Sequence, residues 1–350
     1  MNSKVKIIVL AFGHGLNDLI AGYFLGSFAN SNNDLFKIGL AITAYNVLAF
    51  GGQYLVAVLM ERINDIKKLI VLSYILNVTA IALFVFTPTV SIVLAGIASA
   101  IYHVAGGSYC AISNKAVNIG LFAAPGIAGL VAGGFLSWKG FESIPILLPV
   151  AIIFLSVLIK IKFNRQSAEK TIATNETPKH TIDGHDIIMI LLLLIISLRS
   201  VTWNIFQLIH ENNFEWLITI AIAAVIGKIA GGWLADKIGW RLYALSSAII
   251  ATPLLTFFKK EIILFCIGVG FLQSGIPATT SLLIHSLKGK TSKAIALSFG
   301  MAVMMGSAAS VLPAQQLLLQ TPSILLSSIV LLGICNIWYK RILSRPTWLI

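Results

Sequence analysis

Charge is what this chain has least of. Of its 350 residues only 11% are Asp, Glu, Lys or Arg, against about 25% in a soluble domain. Acidic residues are the scarcer kind, 13 against 25 basic. Cysteine is nearly absent too: Cys110, Cys266 and Cys335 form no CxxC pair and no ligand spacing. All three fall in apolar runs, so they read as small core residues and not as a disulfide framework. There is no HExxH and no nucleophile–base pair at a shared depth, which counts against an intramembrane enzyme. Large polar loops are missing as well, leaving little surface for a receptor or scaffold. The opening MNSKVKII has a weak basic start but no small-residue cleavage site. It is expected to begin a retained first helix, not a signal peptide.

Apolar sequence is what fills the chain instead. Hydrophobic residues make up 57% of it, and the mean hydropathy is +0.91. Runs of about 17–25 apolar residues, long enough to cross a bilayer as helices, recur throughout. They predict twelve helices, at 5–29, 36–60, 68–87, 90–112, 116–138, 144–163, 185–209, 214–235, 241–258, 261–284, 293–318 and 322–340. The expected fold is all-α and integral to the membrane. One long polar stretch, starting NRQSAEK at Asn164, has no apolar period and contains Pro and Gly. It divides the chain into an N-terminal six-helix half (1–163), a cytoplasmic linker (164–184) and a C-terminal six-helix half (185–350).

The placement of basic residues sets the expected orientation. Lys4, Lys6, Arg62, Lys67, Lys68, Lys115, Lys160, Lys162, Arg165, Lys170, Lys179, Lys237, Arg241, Lys288, Lys290, Lys293, Lys340, Arg341 and Arg345 all fall at the alternate helix ends that include the N-terminus. The other ends have only Lys37, Lys139, Lys259 and Lys260. Cytoplasmic loops carry such an excess, so both termini and the linker are expected inside a cell inner membrane. A count of eleven or thirteen helices would scramble the separation. Basic loops of this kind also account for the net charge of +12 without a nucleic-acid partner. The ends of helices two and eight repeat faintly: LMERIN (Leu59–Asn64) aligns with LADKIG (Leu234–Gly239), matching Glu61 to Asp236.

Against this apolar background the ionisable residues inside the spans stand out. They are His14 and Asp18 in helix one, His103 in helix four, Arg199 in helix seven and Lys228 in helix eight. A charge at the bilayer centre costs about 2.5–3.5 kcal/mol on insertion scales, so such residues usually face a cavity. His14, Asn17 and Asp18 share one helical face at i, i+3 and i+4. They are the first sign that the chain moves something across a membrane. Lys228, two turns from the basic end, is expected to snorkel there.

Several segments resemble known transporters. GKIAGGWLADKIGWR (Gly227–Arg241) resembles the signature loop of the major facilitator superfamily. In it Gly231 permits close packing, and Gly239 and Arg241 complete the pattern. Asp236 can cap a neighbouring helix N-terminus as part of a conformational gate. The first-half counterpart, ERINDIKK, lacks the family's glycine and carries Glu61 where aspartate is usual. GHGLNDLIAGY, GIASAIYHVAGG, GLFAAPGIAGLVAGG and SLRSVTWNIF are similar to helices one, four, five and seven of the fosmidomycin-resistance-type efflux group. Val104 stands where that group has proline. The resemblance implies that helices one, four, seven and ten line a central cavity.

These readings converge on a secondary active transporter using alternating access. Burial disfavours an ionised carboxylate while a neighbouring cation favours it, which makes Asp18 the candidate proton site, with His14 and His103 tuning or relaying. The alternative is a permanent Asp18–Arg199 or Asp18–His103 ion pair holding the halves together. Asn17, Tyr102, His103, Arg199, Trp203 and Gln273 are the candidate substrate contacts. Pro125, Gly126, Gly129, Gly275 and Pro277 are expected to let helices five and ten bend and pack closely. The favoured activity is proton-coupled efflux of a small organic solute or drug; uptake of an anionic metabolite by symport is the alternative. His14, Asp18 and His103 also offer three ligands to a metal, but no metal, cofactor or enzymatic activity is expected. The expected partners are a small-molecule substrate, protons and the lipid bilayer, and the protein is expected to be a monomer.

Overall fold

The computed structural model describes residues 2–63, 65–163, 184–209, 213–307 and 314–343. The linker at 164–183, with Arg165, Lys170 and Lys179, and the terminal Arg345 lie outside the described residues. The described chain runs as twelve helical segments in sequence. They are α1 (Ser3–Asn30), α2 (Leu35–Ile63), α3 (Ile66–Leu83), α4 (Pro88–Ala111), α5 (Ala116–Trp138) and α6 (Ile144–Lys160). The series continues with α7 (Gly184–Ile209), α8 (Phe214–Ile238), α9 (Trp240–Phe257), α10 (Ile262–Ser286), α11 (Thr291–Gly306) and α12 (Ala314–Leu343). Among the described residues nine are long and apolar enough to span a bilayer, and α6 and α11 are shorter apolar helices.

Local sequence sets many of the helix ends. Asn2, Asp34, Asp65 and Asn213 each accept a backbone N–H of the following first turn, supplying one of the partners a helix N-terminus lacks. Pro88 opens α4, where its missing N–H costs nothing. Gly239, at φ +94°, ends α8 and turns the chain directly into α9.

The packing repeats with an offset of six helices. α1 packs on α5 as α7 packs on α11, and α3 on α4 as α9 on α10. Across the halves α5 packs on α8 as α11 packs on α2. Helix burial separates the centre from the periphery: 78% of the α4 span is buried against 28% of the α12 span. Because successive helices run in opposite directions, Lys4, Arg62, Lys115, Lys160, Lys237 and Lys293 gather at one end of the bundle, the basic end.

Two departures from regular helix were not legible in the sequence. α2 passes through a π-helical segment at Val47–Gly51, and α11 through another at Ala296–Met301. They face each other across the two halves, where a Cβ on Gly300 would meet the carbonyl of Phe50 at 2.5 Å. Such wide turns are frequent at functional sites.

Candidate functional site

A cavity of about 180 Å³ lies between the halves, midway along the bundle. α1, α4, α7 and α10 all line it, and so do α2, α5, α8 and α11. Both π-helical segments reach it, through Phe50 on α2 and Ser298 and Phe299 on α11. Sequence periodicity could not reveal these residues, because the wide turn rotates them off the face a regular helix would present.

His14, Asp18 and His103 form one cluster on the first-half wall. His14 Nε2 lies 3.2 Å from Asp18 Oδ2 and 2.8 Å from His103 Nε2. The carboxylate is 3.9 Å from His103 Nε2, and its other oxygen accepts the Asn17 side-chain N–H at 2.8 Å. Asn17 is fixed in turn by Asn77, whose amide donates to its carbonyl oxygen at 2.9 Å.

The outer nitrogens of the two rings bear on their tautomers. His14 Nδ1 is 2.6 Å from the carbonyl of Phe122, and His103 Nδ1 is 2.8 Å from that of Ser99. A carbonyl only accepts, so each Nδ1 carries its hydrogen. Two neutral rings would then set lone pair against lone pair at 2.8 Å. With a hydrogen on each Nδ1, the facing Nε2 atoms, 2.8 Å apart, are placed to share one further proton. A metal ion fits this geometry less well. The three ligand atoms lie within 4.8 Å of one another, but a tetrahedral zinc with nitrogens at about 2.0–2.1 Å would hold those nitrogens roughly 3.4 Å apart.

α5 makes room for the cluster. A Cβ on Gly126 would lie 2.6 Å from both Asp18 Oδ2 and His14 Nε2. At Gly129 a Cβ would collide with the carbonyl of Gly15, so α1 and α5 touch backbone to backbone. Gly275 acts likewise on α10, where a Cβ would lie 3.0 Å from the Arg199 guanidinium. Pro125 and Pro277 sit inside helices that continue unbroken through them. The small residues therefore serve close approach here.

The second-half wall is different in kind. Arg199 is buried, and among the described residues its one hydrogen-bond partner is the Thr279 hydroxyl, at 3.1 Å. Trp203, Ser200 and Gln273 line the cavity beside it. Lys228 lines it too, which corrects the expectation that this side chain snorkels to the basic end. Its helix is pressed onto α5 at Gly120 and onto α10 at Gly227, which aims the lysine at the cavity between them.

Two expected substrate contacts lie off the cavity in the described state. Tyr102 is fully buried behind the wall, with its hydroxyl donating to the carbonyl of Leu10 at 2.9 Å. Asn17 is 1% exposed and lies behind Asp18, where it positions the carboxylate. A helical period marks both as inward-facing but not as covered.

Residues 7–313 match the sequence profile of the Major Facilitator Superfamily. The chain belongs to that superfamily. Its members are transporters in the membrane, and the chain is one by family. No curated protein matches it. Among solved structures it is similar to FucP, a Major Facilitator Superfamily transporter, in the outward conformation, with a TM-score of 0.70 at 14% identity. That match covers 97% of each chain. A second structure, a variant of the E. coli fucose:proton symporter FucP, aligns with a TM-score of 0.64 at 14% identity. It covers 98% of this chain and 97% of that one. Identities this low establish the shared fold.

The transporter is clamped at its basic end. Asp236, at the end of α8, accepts the backbone N–H groups of Ala116 and Val117 at 2.8 and 3.0 Å, capping α5 across the halves. Trp240 donates its indole N–H to the same carboxylate at 2.9 Å. Its pseudo-symmetric counterpart Glu61 instead pairs with Lys293 of α11 at 2.8 Å. Gly231 brings α8 against Ser274 of α10. Arg241 points away from this clamp, lying 5.7 Å from the Tyr339 ring.

Proposed function

We propose that this transporter is a proton-coupled exporter of a small organic solute in the inner membrane, a monomer with its basic end and both termini in the cytoplasm. The single observation carrying the proposal is the His14–Asp18–His103 cluster in the wall of a cavity that Arg199 lines from the other half; on this reading the cluster holds one proton. The N-terminal half (1–163) and C-terminal half (185–350) rock about this site, joined by the linker at 164–184. With the basic end clamped by Asp236 and Glu61, the described state faces outward. In it the cluster takes a proton from outside. Return to the inward state delivers that proton and admits the next solute. The resemblance of helices one, four, five and seven to the fosmidomycin-resistance-type efflux group supports export.

The second reading is uptake by proton symport, favoured by the fold match to a fucose:proton symporter. Direction of solute movement under an imposed pH gradient separates the two. The solute would come from a thermal-shift screen over anionic metabolites and amphipathic drugs. The coupling role is tested by Asp18→Asn in proteoliposomes. Loss of proton-driven transport with intact solute exchange is the expected result, and loss of both would make Asp18 a structural or binding residue.

A further inference from the structure

The cavity carries more positive charge than its own residues neutralise. The ionisable side chains lining it are His14, Asp18, His103, Arg199 and Lys228. On the proposed proton reading, the two histidines and Asp18 together are neutral, one imidazolium offsetting one carboxylate. Arg199 and Lys228 remain. Arg199 lines the cavity, is buried and spends one hydrogen bond on Thr279, leaving most of its five N–H donors without a bonded partner among the described residues. Lys228 has no hydrogen-bond or ion-pair partner among the described residues, and Asp18 is already held by His14 and Asn17. Two such cations at membrane depth are costly unless something compensates them.

The geometry points to Arg199 and Lys228 as a two-point receptor for a small organic dianion. A guanidinium binds an oxyanion in bidentate fashion, and an ammonium supplies a second point charge. A monoanion would leave one cation uncompensated and a neutral solute would leave both. Trp203, Phe50 and Phe299 give the same cavity an apolar side suited to a carbon skeleton. The volume of about 180 Å³ falls below the roughly 300–1,000 Å³ of drug-sized sites, so the ligand is metabolite-sized. The inference rests on the proposed proton cluster for its charge count and deepens that reading by naming the substrate class.

The test is binding to the purified full chain by calorimetry at pH 7.5. Succinate and phenyl phosphate serve as dianions, butyrate and benzoate as monoanions, benzamide as a neutral probe and sulfate as an inorganic dianion. At least one organic dianion should bind about tenfold or more tightly than its monoanionic match. Lys228→Met should erase that ratio while leaving monoanion affinity within about twofold, and Lys228→Arg should restore it. Tighter binding of benzamide, equal binding of sulfate, no binding of either organic dianion, or an unchanged ratio in Lys228→Met would each overturn the proposal. Asp18→Asn separates the two claims. Retained dianion preference with lost proton coupling supports both, whereas retained coupling defeats the proton reading and the charge count drawn from it, and the measured dianion-to-monoanion ratio then decides the receptor by itself.

Discussion

The two halves of this transporter pack their helices alike and use opposite chemistry. On the first-half wall every polar atom of the His14–Asp18–His103 cluster has a protein partner, down to the carbonyls of Phe122 and Ser99 behind the rings. On the second-half wall Arg199 has Thr279 alone, and Lys228 has no bonded partner among the described residues. A closed network stores a proton, because adding or removing one rearranges bonds already in place. An open pair of cations waits for bonds from outside. The clamps differ in the same way. Asp236 grips backbone amides of α5, while Glu61 grips one side chain, Lys293. On the proposed function, a duplicated scaffold is divided between storing the proton and holding the solute.

The comparison can be broken most severely at Asp18. Asp18→Asn removes the only carboxylate of the closed network and should lower proton-driven transport by on the order of 100-fold, while counterflow of the solute persists. His103→Gln should follow. It replaces the shared proton with an amide hydrogen bond and should weaken coupling about tenfold, visible as a flattened pH profile of transport. Gly126→Ala places a methyl group against both Asp18 and His14. Overpacking of this kind costs about 1–3 kcal/mol, read as a lower melting temperature and slower coupled transport.

The clamps sharpen the contrast with smaller effects. Asp236→Ala removes a helix cap worth about 1 kcal/mol, which should shift the population toward the basic-end-open state by roughly fivefold. Faster labelling of a cysteine introduced by Val117→Cys would report it. Glu61→Gln should change the same readout least. Its ion pair with Lys293 is about a quarter exposed, and such pairs contribute roughly 0.2–1 kcal/mol, falling further with added salt.

Some of the site was open to sequence reading because membrane depth makes charge conspicuous. His14, Asp18, His103 and Arg199 were visible as ionisable residues in apolar spans, and all four line the cavity. The capping role of Asp236 followed from its place beside a helix end and now has its amide partners. Lys228 was misread because its distance from the basic end permits snorkelling equally well; only the contacts of α8 with α5 and α10 aim it inward. Tyr102 and Asn17 are covered in the described state, which a helical period does not reveal, because it tells which side of a helix faces in but not what stands in front of it.

The sequence by itself determined the twelve helices, the basic end and the inventory of buried charge. Those follow from run length, polarity and the cost of charge in hydrocarbon, which act on each segment separately. Tertiary structure alone decided which charges meet. The 2.8 Å approach of His14 to His103, the space left by Gly126 and the open faces of Arg199 and Lys228 depend on helices distant in sequence. Their register is set by backbone contacts such as Gly129 on Gly15, and no single helix encodes it.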